Sequence, residues 1–80
     1  MWYLKTKLGT LWIVKADEPS VPRYVLGMDD DSLGFYESID EALDDVVNHS
    51  TGALKWDESM RASAPHNIQE WVEGEPENWN

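Results

Sequence analysis

Residues 38–47 carry helical periodicity while much of the chain before them alternates like strand, and this pairing restricts the chain to a sheet packed against one main helix. Ser38 offers a capping hydroxyl, and Glu41, three residues on, completes a capping box. Ile39, Ala42, Leu43, Val46 and Val47 form one apolar stripe, with Asp40, Glu41, Asp44 and Asp45 mainly off it. Acids near the helix start suit the macrodipole, by roughly 0.3–1 kcal/mol each. The stop is expected within Asn48–Gly52, with Gly52 as the C-terminal residue.

Ahead of the helix, Trp2, Leu4, Thr6 and Leu8 alternate with Tyr3, Lys5 and Lys7, and Leu11-Trp12-Ile13-Val14 is rich in strand formers. Residues 2–15 therefore read as two strands turning at Gly9. A proline- and acid-bearing loop over 16–22 precedes a third strand opening at Arg23. Tyr24–Met28 and Leu33–Tyr36 read as a second hairpin around Asp29–Ser32; Gly27 and Gly34 would weaken it unless a ring or backbone packs close. Beyond Gly52 the pattern is irregular, with Leu54 and Trp56 as isolated anchors and a loop over 59–65. Asn67 can cap a short helix over Ile68–Glu73 before Gly74. The expected fold class is α+β: an antiparallel sheet of three to four strands on one main helix, with a short C-terminal helix. Residues 1–74 form one domain in this reading, with 75–80 a frayed tail.

Eighty residues bury only about 60% of their unfolded surface, and no cysteine is present to supplement the core with disulfides or thiolate-bound zinc. The five tryptophans, three tyrosines and one phenylalanine are the material from which a small core gains stability. The chain shows neither a signal-peptide pattern nor a membrane-length apolar run, so a cytoplasmic location is expected. A formal charge of -10 disfavours direct binding to nucleic acid or anionic membranes. That charge is uneven: residues 1–27 hold four basic against two acidic side chains, whereas residues 28–80 hold two basic and fourteen acidic ones.

The triple aspartate Asp29-Asp30-Asp31 invites a calcium reading, but in either register a required ligand or glycine position falls on Leu33 or Phe35. His49 and His66 belong to no paired-histidine metal motif, no serine lies in Gly-x-Ser-x-Gly, and the glycines form no phosphate loop. No enzymatic activity, metal or cofactor is expected.

The run Leu33-Gly34-Phe35-Tyr36-Glu37-Ser38-Ile39-Asp40-Glu41-Ala42 resembles the strand-to-helix unit of ethylene-response type DNA-binding domains and related phage integrase arm domains. That resemblance implies a sheet packed on one helix. Over nearly the whole length, Trp2-Tyr3, Gly9-Thr10-Leu11-Trp12-Ile13, Leu33-Gly34-x-Tyr36-x-Ser38, Thr51-Gly52, Trp56-Asp57 and Glu70-Trp71 resemble a group of small uncharacterised bacterial proteins. That second resemblance implies no activity.

The leading expectation is a protein-interaction or regulatory accessory module whose partner is another and possibly basic protein; Trp56, Trp71 and Trp79 are the candidate anchors, each of them the more ordinary core cover of the sheet in the alternative reading. The competing expectation is a nucleic-acid mimic, with Asp29, Asp30, Asp31, Asp40, Glu41, Asp44 and Asp45 imitating phosphates in the groove of a basic protein. A small-molecule pocket between sheet and helix stays open.

Overall fold

The computed structural model describes residues 1–16, 24–59 and 61–74. The alternation of the first fifteen residues becomes strands β1 (Trp2–Thr6) and β2 (Gly9–Lys15), and the second hairpin becomes β3 (Tyr24–Met28) and β4 (Asp31–Tyr36). Helix α1 (Ile39–Val47) follows, then a one-turn helix α2 (Leu54–Asp57), a 3-10 turn over Ile68–Glu70, and a two-residue strand β5 (Val72–Glu73). The sheet is antiparallel throughout, in the order β4-β3-β2-β1-β5.

The sheet has five strands where three to four were expected. The fifth is the end of the segment read as a C-terminal helix. Asn67 does cap there, its side chain accepting from the Gln69 N–H at 3.0 Å, but helical geometry lasts only one 3-10 turn. Trp71 is already extended (φ -85°, ψ 159°), and Val72 and Glu73 then pair with Tyr3 and Trp2 of β1. Leu54 and Trp56 are joined in α2. The expected strand opening at Arg23, most of the loop over 16–22 and the tail over 75–80 lie outside the described residues.

The Ser38 half of the capping box forms at the head of α1, while the return bond from Glu41 ends one residue before the cap. Ser38 Oγ accepts from the Glu41 N–H at 3.2 Å, and the Glu41 carboxylate reaches back to the Glu37 N–H at 3.2 Å. The helix stops at Asn48, within the expected Asn48–Gly52, but His49 rather than Gly52 takes the left-handed conformation directly after it, at φ 56°. Its N–H bonds to the Val46 carbonyl at 3.2 Å, and the Ser50 N–H bonds to that of Asp45 at 2.9 Å. A side chain in this region costs about 1–2 kcal/mol. Trp56 offsets that cost: its ring stacks on the imidazole at 5.2 Å between centroids, and its carbonyl lies 2.8 Å from His49 Nδ1.

Alternate side chains point to opposite faces of the sheet. Leu11, Ile13, Leu26 and Met28 face α1 and are buried with its Ala42, Leu43 and Val46, and with Trp56 and Trp71. The β3–β4 register skips Leu33, and this bulge re-aims the Leu33 side chain onto the same core. Trp56 is fully buried, its indole N–H donating to the Val46 carbonyl at 2.9 Å. Trp56→Ala is therefore expected to destabilise the domain by about 3–5 kcal/mol, enough to leave a chain of this size largely unfolded, as urea melts followed by circular dichroism would show.

Candidate interaction surface

The strand registers place Tyr3, Lys5, Thr10, Trp12, Val14, Val25, Gly27, Ser32, Phe35 and Val72 on the sheet face turned away from α1. None of these residues is Asp or Glu, on a chain that carries sixteen acids. Strand acids point the other way: Asp31 pairs with Met28, and Glu73 with Trp2, both on the helix side. Across the acid-free face, side chains at the two edges are the most open, with Phe35 of β4 60% exposed and Val72 of β5 50% exposed. Between them Tyr3, Val14 and Val25 are half-buried. Large apolar side chains gathered on one face of a small polar protein mark a contact surface more specifically than isolated ones do.

Trp12 belongs to the frame of this face. Its indole lies flat over Gly27, where an added Cβ would come within 2.0 Å of the ring. That close approach answers the expectation that a ring must pack where glycine interrupts the strand. The Trp12 N–H donates to the Asp29 carbonyl at 2.8 Å, which pins the ring at the β3–β4 turn.

Asp29 is the centre of that turn. At φ 52° its side chain swings back towards β2, where the carboxylate accepts from the Thr10 N–H at 2.9 Å and from Lys55 Nζ of α2 at 2.6 Å. Its own N–H donates to the Thr10 carbonyl at 2.8 Å. Gly9 has no side chain because the Asp29 carboxylate fills the space a Cβ would take, at 2.5 Å. The Lys55 contact first, and the Thr10 N–H second, hold the Asp29 carboxyl below its ordinary range.

The remaining predicted acids divide between internal partners and solvent. Asp45 accepts from the Tyr36 hydroxyl at 2.5 Å; burial and this bond together raise the Tyr36 pKa. Asp44 pairs with His66 at 2.5 Å, and that bond raises the imidazole pKa. Asp30, Asp31, Asp40 and Glu41 are exposed, the first two at the β3–β4 turn and the others on the first turn of α1. The proposed phosphate-like acids thus divide between the β3–β4 turn and α1, and three of them, Asp29, Asp44 and Asp45, have partners within the chain. It also removes two of the proposed anchors from the surface: Trp56 and Trp71 are 0% and 4% exposed, while Trp79 lies outside the described residues.

Sequence reasoning missed the residues that are on display, Phe35 and Val72. Phe35 sits one residue beyond the glycine of a bulged strand, where alternation is broken, and Val72 stands in a strand too short to show alternation. One signal was present: Tyr3 and Lys5 form the polar half of the β1 alternation, facing away from the core.

On the helix side, Met28, Leu33, Ala53 and Leu54 line an open groove of about 560 Å³ rimmed by Asp31 and Lys55. Its Gly52–Lys55 wall is held by Asp57, which accepts from the Thr51 N–H at 2.9 Å, the Thr51 hydroxyl at 2.8 Å and the Gly52 N–H at 2.8 Å. Burial alone would raise the Asp57 pKa, but these donors outweigh it and lower it. Among the described residues, no three His, Asp or Glu side chains gather as metal ligands, and no helix is long and apolar enough to cross a membrane. In comparison with known proteins, the chain matches no family, no curated protein and no solved structure.

The Asp29 tie gives a pH-dependent prediction. A carboxyl held below its ordinary value of 3.8 contributes stability above that value and loses it as the pH falls through the folded-state pKa. Asp29→Asn should lower stability at pH 7 by about 1 kcal/mol or less, the pair being solvent-screened. The melting temperatures of variant and wild type should converge as the pH drops below 3.8.

Proposed function

We propose that this chain is a protein-interaction module that docks through the acid-free face of its sheet. The observation that carries the reading is that Phe35 and Val72, two of the four exposed large hydrophobics among the described residues, lie on the one sheet face from which the carboxylates of the described strands are turned away. A partner surface seated there gives up no solvation of charge except near Lys5, and it covers rings and methyl groups that water solvates poorly. The acids on α1 and the β3–β4 turn keep the remainder of the molecule soluble and favour approach by a partner with basic groups beside its apolar patch.

The nucleic-acid mimic is less well supported by the same geometry. A mimic needs a row of uncommitted negative charge, whereas Asp29, Asp44 and Asp45 are engaged with Lys55, His66 and Tyr36. The groove beside α2 is shallow, and Lys55 at its rim is already paired with Asp29, so it supplies no unpaired charge to orient a small molecule.

The test is site-specific photocrosslinking in the cells that express the protein, with a benzophenone side chain at position 35 or at position 40. An adduct from position 35 and none from position 40 is expected, with Phe35→Asp weakening the purified complex at least tenfold. Adducts from position 40 alone, in a complex dispersed by salt or by added DNA, would contradict the sheet-face reading and support the mimic.

A further inference from the structure

We propose that residues 61–66 form a pH-released strap: the ion pair of His66 with Asp44 pins this segment to α1 while the imidazole carries its proton, and the strap loosens as the proton is lost, opening the way to Trp71. This inference does not rest on the interaction reading above.

The segment between α2 and the 3-10 turn is weakly held. Arg61 and Ser63 are exposed, and Ala62 and Ala64, half-buried between and beside them, meet the core cluster with nothing larger than a methyl group. Among the described residues, no backbone group of 61–66 bonds to the sheet or to α1. The Ala62 N–H is taken up locally by the Ser59 carbonyl at 2.9 Å, and the Pro65 carbonyl accepts the Trp71 indole N–H at 3.2 Å. A stretch with so few buried apolar contacts belongs to the low-stability end of a structure, where opening is local and does not need the whole domain to unfold.

His66 supplies the tie. Its Nε2 stands 2.5 Å from Asp44 Oδ1, and the charges that act on the ring are those of Asp44 and, one turn earlier on α1, Asp40. Along the chain the nearest charged residues are Arg61 and Glu70. A protonated ring therefore faces carboxylates across the gap to α1, whereas a neutral ring loses the charge-assisted bond, roughly twice as strong as an ordinary one. The Asp44 bond raises the imidazole pKa above its ordinary value of 6.5, against the desolvation that lowers it. A raised value means that the attachment is complete below pH 6.5 and is lost as the pH rises through the higher value of the closed form. Both partners are well exposed, so losing the pair changes the opening equilibrium by only about two- to fivefold. A factor of this size matters here because the strap has few other ties. Trp71 is the residue affected: it is 4% exposed with the strap in place, and its N–H is held by the strap's own Pro65 carbonyl. Release frees that donor and admits water to the ring.

Hydrogen exchange of the two indole N–H groups of Trp71 and Trp56, followed by NMR on the full chain at about pH 6 and about pH 8.5 and corrected for the intrinsic rate at each pH, tests the inference. Trp56, bonded to the Val46 carbonyl, reports opening of the core itself. Trp71 should be the less protected of the two, and its protection should fall about two- to fivefold between the two pH values. The fall should vanish in His66→Gln and shrink in Asp44→Asn, with both variants near the wild-type level of high pH throughout. Equal protection of the two indoles would show that the strap opens only with the whole domain and would overturn the proposal. So would a wild-type protection that does not change with pH, or a fall that persists undiminished in both variants, since the titrating group would then be another one.

Discussion

A helix about 10 Å across cannot roof a five-stranded sheet about 24 Å wide, and most of this architecture answers that mismatch. The nine-residue α1 packs against β3 and β4. The rest of the apolar face on β2 and β1 has to be closed by other means in a chain without disulfides. Trp56 and Trp71 do this, each a single side chain with a large apolar area. Both keep their indole N–H satisfied, Trp56 on the Val46 carbonyl and Trp71 on that of Pro65 at 3.2 Å.

Because Trp56 and Trp71 close the core, they are not available as surface anchors. The elements that present them are correspondingly short. One turn of α2 is enough to place Trp56 under His49, and one 3-10 turn is enough to place Trp71 beside Trp2 and Ile68. The opposite face has no such covering element among the described residues. Its strand side chains include no acid, whereas the β3–β4 turn and α1 carry exposed ones. One sheet therefore has a closed side that supplies stability and a side that the described residues leave open.

The parts of this organisation governed by local chemistry were legible in the sequence. Ser38 and Glu41 marked the start of α1 through a cap that is local in sequence, and the Gly27 interruption implied a close approach by a ring or backbone, which the Trp12 ring makes. The parts governed by distant partners were not. His49 takes a conformation that glycine ordinarily supplies because Trp56 stacks on it, so Gly52 was the more natural choice for the stop. Val72 and Glu73 form a strand only because β1 has an open edge beside them, while their spacing from Ile68 mimics a helical face. Asp29, Asp30 and Asp31 read as one acidic cluster, yet the positive φ at Asp29 turns its carboxylate inward and separates it from its neighbours. The open sheet face was hardest to read of all, because Phe35 follows a bulge that breaks the alternation by which faces are assigned.

The central claim is that the two faces of the sheet differ, one sealed and one open to a partner. Solvent paramagnetic relaxation by an inert gadolinium chelate, recorded at micromolar protein on methyl and aromatic protons, measures this directly. The account predicts strong relaxation at Phe35 and Val72, intermediate values at Tyr3, Val14 and Val25, and almost none at Leu11, Ile13, Val46 and Trp56. Equal protection of Phe35 and Val72 with the core residues would contradict it, since the face assigned to a partner would then already be closed within the monomer.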